Sequence, residues 1–271
     1  MRIPAVSGAF YPDKKEDLIK VIENAFKHPL GPGKLPSTIH TDTDLKALIV
    51  PHAGYIYSGP IAAHAYWELS LRKAPEVIII LGVNHYGYGE QVGLSPDDFE
   101  TPLGVSKINK EIYQKLKDNG MKEDRVSHVR EHSIEVQLPF IQYIYGSNFT
   151  FVAISLSYMD TYNAKKTASI IKKAIEGVDA LVIASTDFSH YVPKRIAYST
   201  DKKAIEKIEE HSPEGLYKVV NEYNISMCGV GPVLTLLYTL DDVKMKLLKY
   251  ATSGDVVEME DVVGYGSFKG V

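Results

Sequence analysis

Five aliphatic residues in a row, Val77, Ile78, Ile79, Ile80 and Leu81, constrain this chain more than any other feature. A strand with one wet face alternates apolar and polar side chains. A run with no polar position needs cover on both faces, as in a parallel sheet flanked by helices. Two further runs, residues 46–50 (KALIV) and 180–185 (ALVIAS), also read as buried strands. Between them apolar residues recur at helical spacing. Ile61, Ala62, Ala65, Tyr66 and Leu69 follow the first run. Segments 109–119 and 163–176 read as helices, closed by Gly120 and Gly177. Further helices are expected at 195–210, 213–223 and 230–240. Segment 132–145 has the helical repeat Ile134, Leu138, Ile141, Tyr145, but Pro139 must kink or restart it. Strands are expected at 149–156, near Val92 and Val105, and at 246–250 and 262–268.

Strand–helix alternation predicts an α/β fold, a mostly parallel central sheet with helices on both faces. The Pro/Gly-rich stretch 31–37 (GPGKLPS) comes too early to divide the chain, so residues 1–271 are read as one domain. The net charge of −4 disfavours nucleic acid as a partner. The longest apolar stretch, 77–83, falls far short of the roughly 20 residues that span a bilayer. The opening MRIPAVSGAFYPDKKED lacks the apolar core of a signal peptide, and the expected location is cytoplasmic. One cysteine allows no internal disulfide. There is no phosphate loop GxxxxGK[ST], no GxSxG elbow and no HExxH.

Ligands of open α/β sheets bind outside the carboxyl ends of the strands. Each of the three apolar runs leads into a loop with polar chemistry: PHAGY (51–55), GVNHYG (82–87) and TDFSH (186–190). Parallel strands bring such loops to one edge, so His52, His85, Asp187 and His190 are candidates to converge. A lone loop histidine is more often a surface or hydrogen-bonded structural residue; three strand ends each carrying one are harder to dismiss. Cys228 lies just before the apolar segment 230–240. A helix N-terminus there would favour the thiolate, the form that binds metal, whereas a free cysteine is commonly a small buried hydrophobe. His132 and Glu135, three apart, share a helix face and could meet the same pocket, although Glu135 could equally serve a helix cap. Tyr55, Tyr57, Tyr86, Tyr88 and Tyr191 flank the motifs as pocket or core residues. His28, His40, His64, His128 and His211 have no strand-end context.

Read together, PAVSGAFYP (4–12), PHAGYIYSGP (51–60), LGVNHYG (81–87), EHSIEVQLPF (131–140), STDFSHY (185–191), MCGVGP (227–232) and GYGS (264–267) resemble the Memo family over almost the whole chain. The resemblance implies a fold like that of class III extradiol dioxygenases, non-haem iron enzymes that open aromatic rings. It implies His52, His85 and Cys228 as metal ligands, with Asp187 and His190 in the same pocket and His190 at the position of the dioxygenases' acid/base histidine. Asp187 is then expected to orient His190 or to ligate the metal. Tyr55, Tyr86, His132, Glu135 and Tyr191 are expected around the substrate. Where the dioxygenases use a carboxylate as third ligand, this chain has a thiol. Fe(II) is the implied cofactor, and the soft sulfur also suits Cu(I) or Zn(II). The implied activity is metal-dependent redox chemistry of the dioxygenase type on an aromatic or other small organic substrate. The alternatives are a non-catalytic module binding phosphotyrosine peptides or acting as a scaffold, and a Cu(I)-binding protein. AMMECR-type and radical-SAM proteins are implied partners.

Overall fold

The computed structural model describes residues 1–271. In chain order the elements are α1 (Lys15–Lys27), β1 (Ala47–Val50), α2 (Tyr55–Ser70), β2 (Val77–Val83), β3 (Val92–Leu94), β4 (Phe99–Thr101), β5 (Gly104–Ile108), α3 (Lys110–Asp118), β6 (Lys122–Glu123), α4 (Leu138–Tyr145), β7 (Thr150–Leu156), α5 (Thr161–Ala174), β8 (Ala180–Ser185), β9 (Val192–Pro193), α6 (Lys194–Glu209), α7 (Pro213–Glu222), α8 (Val230–Thr239), β10 (Met245–Thr252), α9 (Ser253–Val256), β11 (Asp261–Val262) and β12 (Gly264–Gly270).

One ten-stranded sheet carries the fold, in the order β10-β12-β1-β8-β2-β7-β3-β6, with the β4–β5 hairpin joined to β7. The four central strands β1, β8, β2 and β7 are mutually parallel. The closing strand β12 pairs antiparallel with β1 and β10, so the sheet is mixed at that edge. Every residue of β1 and β2 is buried, as a run without polar positions requires. The strand period of two splits these residues between the faces. Ala47, Ile49, Val77, Ile79, Leu81, Val182 and Ala184 belong to one apolar cluster, shared with α5 and α8. Leu48, Val50, Ile78, Ile80, Leu181 and Ile183 belong to the other, shared with α1, α2 and α4.

The helices end where local chemistry stops them. The Asn109 side chain accepts from the Ile112 amide at 3.0 Å and opens α3. Asp160 does the same for α5 through Asn163 at 2.8 Å. Pro139 does not kink a long helix. It sits in the first turn of α4, where its missing N–H costs nothing, and a short 3-10 turn at Glu135–Gln137 precedes it. Helix α1 lies outside the elements expected from the sequence. Its Leu18, Ile22, Ala25 and Phe26 form a buried stripe on the second cluster. No helix is long and apolar enough to cross a membrane.

Strand order decides where the loops go. β8 lies between β1 and β2, so the loops after β1, β8 and β2 leave the sheet side by side. Gly82, near the end of β2, leaves room for segment 131–135: a Cβ there would stand 2.4 Å from Ile134 Cγ1 and 2.7 Å from Ser133 Oγ. Helix α8 approaches from the other side. Gly229 fits against Thr186, where a Cβ would meet Thr186 Cβ at 2.4 Å and the Ser185 carbonyl at 2.5 Å.

Candidate metal centre

The loops after β1 and β2 and the residue pair ahead of α8 deliver His52, His85 and Cys228 to one point. Their ligand atoms all lie within 4.8 Å of one another. His52 is buried, Cys228 half-buried and His85 exposed, and the two histidines line a pocket. Cys228 Sγ stands 3.2 Å from His52 Nε2.

Both imidazoles are aimed. Ser185 Oγ has one proton, and it donates that proton to the Ser133 carbonyl at 2.7 Å. It therefore accepts from His52 Nδ1, 2.8 Å away, which leaves the lone pair of Nε2 facing Cys228. The carboxylate of Glu131 can only accept, so His85 Nδ1 donates to it at 2.9 Å and its Nε2 is likewise free. This is how a metal-ligating histidine is held: one ring nitrogen spent on a partner, the other presented. A sulfur and an imidazole nitrogen on one ion, at about 2.3 and 2.1 Å, stand about 3.1 Å apart at a right angle and about 3.6 Å at a tetrahedral one. The observed 3.2 Å lies inside that span. Cys228 and His52 are thus spaced as two ligands of one transition-metal ion would be, with His85 Nε2 near enough to be a third.

Glu131 was not among the residues singled out from sequence. It is 2 % exposed and takes four protons, from the His85 amide at 2.8 Å, His85 Nδ1 at 2.9 Å, the His132 amide at 2.9 Å and the Ser133 amide at 2.8 Å. Burial opposes its ionisation, yet the hydrogen bond and charge of His85, with the added charge of His132 and the Ser133 amide, hold its carboxyl down to about 2. Its only sequence signal is its place beside His132 in EHSIE. His132 stacks on His85, with ring centroids 4.7 Å apart and planes 12° from parallel. Burial pushes the His132 imidazole down to about 4, and burial with the neighbouring imidazoles pushes His52 well below its ordinary range.

Asp187 accepts from the His52 amide at 2.8 Å, and burial raises its carboxyl to about 6. It does not hydrogen-bond to His190. That role falls to Ser226: His190 Nδ1 lies 2.7 Å from the Ser226 carbonyl and must donate to it, and the His190 amide donates to Ser226 Oγ at 2.7 Å. His190 Nε2 is therefore the basic nitrogen, and the ring lines the pocket. Ser189 is clamped in turn: its Oγ donates to buried Asp201 at 2.5 Å, and Tyr250 donates to the same carboxylate at 2.6 Å. Cys228 precedes α8 as expected. Burial first, then the charge of Asp187, pushes the thiol up, although the Asp187 amide donates to its sulfur at 3.3 Å.

The pocket over these groups has a volume of about 460 Å³. His132 and Tyr191 line it, together with Phe10, Tyr57, Met259, Val263 and Tyr265. Three residues expected around a substrate do not. Tyr55 is buried, and its hydroxyl donates to the Val136 carbonyl at 2.5 Å. Glu135 is fully buried and fastens the N-terminal segment, accepting from Arg2, the Ala5 amide at 2.8 Å, the Val6 amide at 3.1 Å and the Tyr11 hydroxyl at 2.5 Å. Tyr86 points outward, its ring parallel to that of Tyr88. A larger open groove of about 730 Å³ lies at the opposite ends of β1 and β8, around Lys46, Arg72 and Ala180. No cluster of potential metal ligands falls there.

A mixed, centrally parallel sheet covered on both faces, with imidazole-bearing loops at the strand ends, defines an α/β protein of the class III extradiol dioxygenase-like fold. The family model described as Memo-like protein matches residues 2–269. A MEMO1 family protein of Methanopyrus kandleri is 44 % identical over 275 residues, covering 98 % of this chain and 97 % of the relative. One of Ignicoccus hospitalis is 44 % identical over 280 residues, covering 99 % and 98 %. One of Methanothermobacter thermautotrophicus is 42 % identical over 274 residues, covering 98 % of each. The chain belongs to the Memo family.

Proposed function

We propose that this protein is a metal-dependent redox enzyme that acts on an aromatic or other small organic substrate, with Fe(II) held by His52, His85 and Cys228. The observation that carries this reading is the aimed triad: two free Nε2 atoms and one sulfur within 4.8 Å, with each Nδ1–H already engaged. Bound there, Fe(II) would supply Lewis-acid and one-electron chemistry at a site open on its pocket side. The rest falls to the chain. His190 takes a proton from a substrate hydroxyl at Nε2, a general-base contribution of about 10²–10⁴-fold. Ser226 keeps that nitrogen basic by occupying Nδ1. Asp187 tethers the His52 backbone. Phe10, Tyr57 and Tyr265 displace water around the substrate.

The test is oxygen uptake by protein loaded anaerobically with Fe(II), offered catechols and indoles. Metal-dependent uptake that disappears in Cys228→Ser and His52→Ala supports the proposal. No uptake with any aromatic compound at full iron occupancy rejects it. The donor set also supports a second reading, Cu(I) sequestration, because two imidazoles and a soft thiolate suit that ion. A pocket of organic size with a free base at its edge favours catalysis over storage. Competitive titration separates the two: tight Cu(I) binding without turnover is the outcome for sequestration.

A further inference from the structure

We infer that residues 2–11 are an integral part of the metal centre: Phe10 is a positioning residue for His85, and the seated segment and the bound ion stabilise each other. The inference rests on the metal-site reading above and adds to it a coupling between the centre and the N-terminal segment.

Two routes lead from the segment to His85. The first is polar. Buried Arg2 donates through Nε to the His128 carbonyl at 2.8 Å and through Nη2 to the Glu131 carbonyl at 2.5 Å. It thereby pins the backbone of the residue whose carboxylate takes the His85 Nδ1 proton. The second is aromatic. The Phe10 and His132 rings stand 4.7 Å apart, centroid to centroid, at 56°. His132 in turn lies parallel to His85 and edge-on to His52, 5.4 Å away. It thus touches both ligand rings and Phe10 at once. Packing holds the His132 ring, for its Nδ1 is 3.6 Å from Glu131 Oε1, too far for a hydrogen bond. Without Phe10 against it, His132 is free to turn, and His85 loses the surface it stacks on.

The segment is fastened at points rather than woven into the sheet. Ile3, Ala5, Gly8 and Ala9 are exposed, and Phe10 is half-buried. Glu135 holds the Ala5 and Val6 amides and the Tyr11 hydroxyl. The Phe10 carbonyl accepts from the Tyr55 amide at 2.8 Å, at the start of the helix that follows the His52 loop. A segment held this way opens at a lower free energy than the sheet beneath it. An ion that needs His85 in place binds the seated form more tightly than the open one. By linkage it then holds the segment closed by the same factor. A segment packed for stability alone would sit equally firmly with and without the ion.

The experiment uses the full chain, chelated and then titrated with Co(II) against a chromophoric chelator. Phe10→Ala is expected to weaken Co(II) binding about tenfold, the low end of what a displaced outer partner costs, whereas Phe10→Tyr, which keeps the ring, stays within about threefold. Unaltered Co(II) affinity in Phe10→Ala overturns the inference, even if the variant is less stable in urea. Hydrogen exchange on the unmodified chain supplies the reciprocal reading without a variant. Saturating Zn(II) is expected to slow exchange at the Ala5, Val6 and Phe10 amides about tenfold. Unchanged exchange there overturns the inference. So does an equal slowing in α3, which contributes nothing to the pocket, because that marks general stabilisation. Uptake is read separately. Protein that takes up no Co(II) overturns the metal-site reading and this inference with it, whereas bound Co(II) with an affinity blind to Phe10→Ala overturns this inference alone.

Discussion

Replacing Glu131 with glutamine changes one atom of a buried carboxylate and tests whether that carboxylate builds the centre. Three of the four protons it accepts, from His85 Nδ1, the His132 amide and the Ser133 amide, go to Oε1, and the fourth, from the His85 amide, goes to Oε2. A glutamine with its carbonyl at the Oε1 position keeps three bonds but turns an NH2 group toward the His85 amide, donor against donor. One buried donor left unsatisfied costs about 1–3 kcal/mol. The charge is lost as well. Glu131 is held at about 2 in the folded chain against an ordinary 4.5, a difference of about 3 kcal/mol. A depressed carboxyl pKa contributes stability that is fully present above about 4.5 and is lost as pH falls toward 2. Urea unfolding of chelated protein at pH 7 should therefore show Glu131→Gln less stable by about 2–4 kcal/mol. Between pH 5 and pH 2 the variant should lose less further stability than the unmodified chain, by up to about 3 kcal/mol. Loss of the partner that aims His85 should also weaken Co(II) binding about 10–100-fold, read by competition with a chromophoric chelator. A variant with unaltered Co(II) affinity and an unaltered pH slope would refute the reasoning.

Other perturbations follow from the same geometry. Asp187 is raised from 3.8 to about 6 by burial, so the metal-free fold loses stability as pH rises through that interval; Asp187→Asn should stabilise chelated protein at pH 7.5, by about 3 kcal/mol at most, in chemical denaturation. Gly229→Ala drives a methyl group into Thr186 and the Ser185 carbonyl, and should cost about 1–3 kcal/mol in unfolding and weaken Co(II) binding by displacing Cys228. Arg2→Ala strands fully buried Glu135 and should cost about 3–5 kcal/mol in urea unfolding at pH 7; a change under 1 kcal/mol would remove Arg2 from the framework. Cys228→Ser should abolish the thiolate-to-metal charge-transfer band of Co(II)-loaded protein, and a retained band would exclude the sulfur as a ligand.

Much of the framework was legible because the strand signal is local. Residues 77–81, 47–50 and 180–184 hold no polar side chain, so their double cover and the helices beside them follow from composition alone, while Lys46 at the head of the second run is exposed and lies outside its strand. Asn109, Gly120 and Pro139 mark helix ends by backbone chemistry that needs no partner elsewhere. Helix α1 was less legible, because its stripe of Leu18, Ile22, Ala25 and Phe26 lies among charged residues in a segment without a neighbouring strand. The site divides in the same way. His52, His85, Asp187 and His190 could be suspected from their places at strand ends. Cys228 had no such mark, and the motif resemblance, not its spacing, brought it into the set.

The sequence by itself determined which residues must be buried, where strands stop, and that the polar loops follow the apolar strands. Those are properties of short segments, set by side-chain chemistry and backbone period. Only the tertiary structure decided that β8 lies between β1 and β2, that α8 brings Cys228 to 3.2 Å from His52, and that Ser226, not Asp187, holds His190. It also separated Glu131, which aims a ligand, from Glu135, which fastens the N-terminal segment, although the two are four residues apart in one motif. A side chain's role depends on which donors reach it, and those donors come from distant segments, as with Arg2 and Glu135, 133 positions apart. No local pattern encodes such a meeting; packing the sheet and its helices produces it.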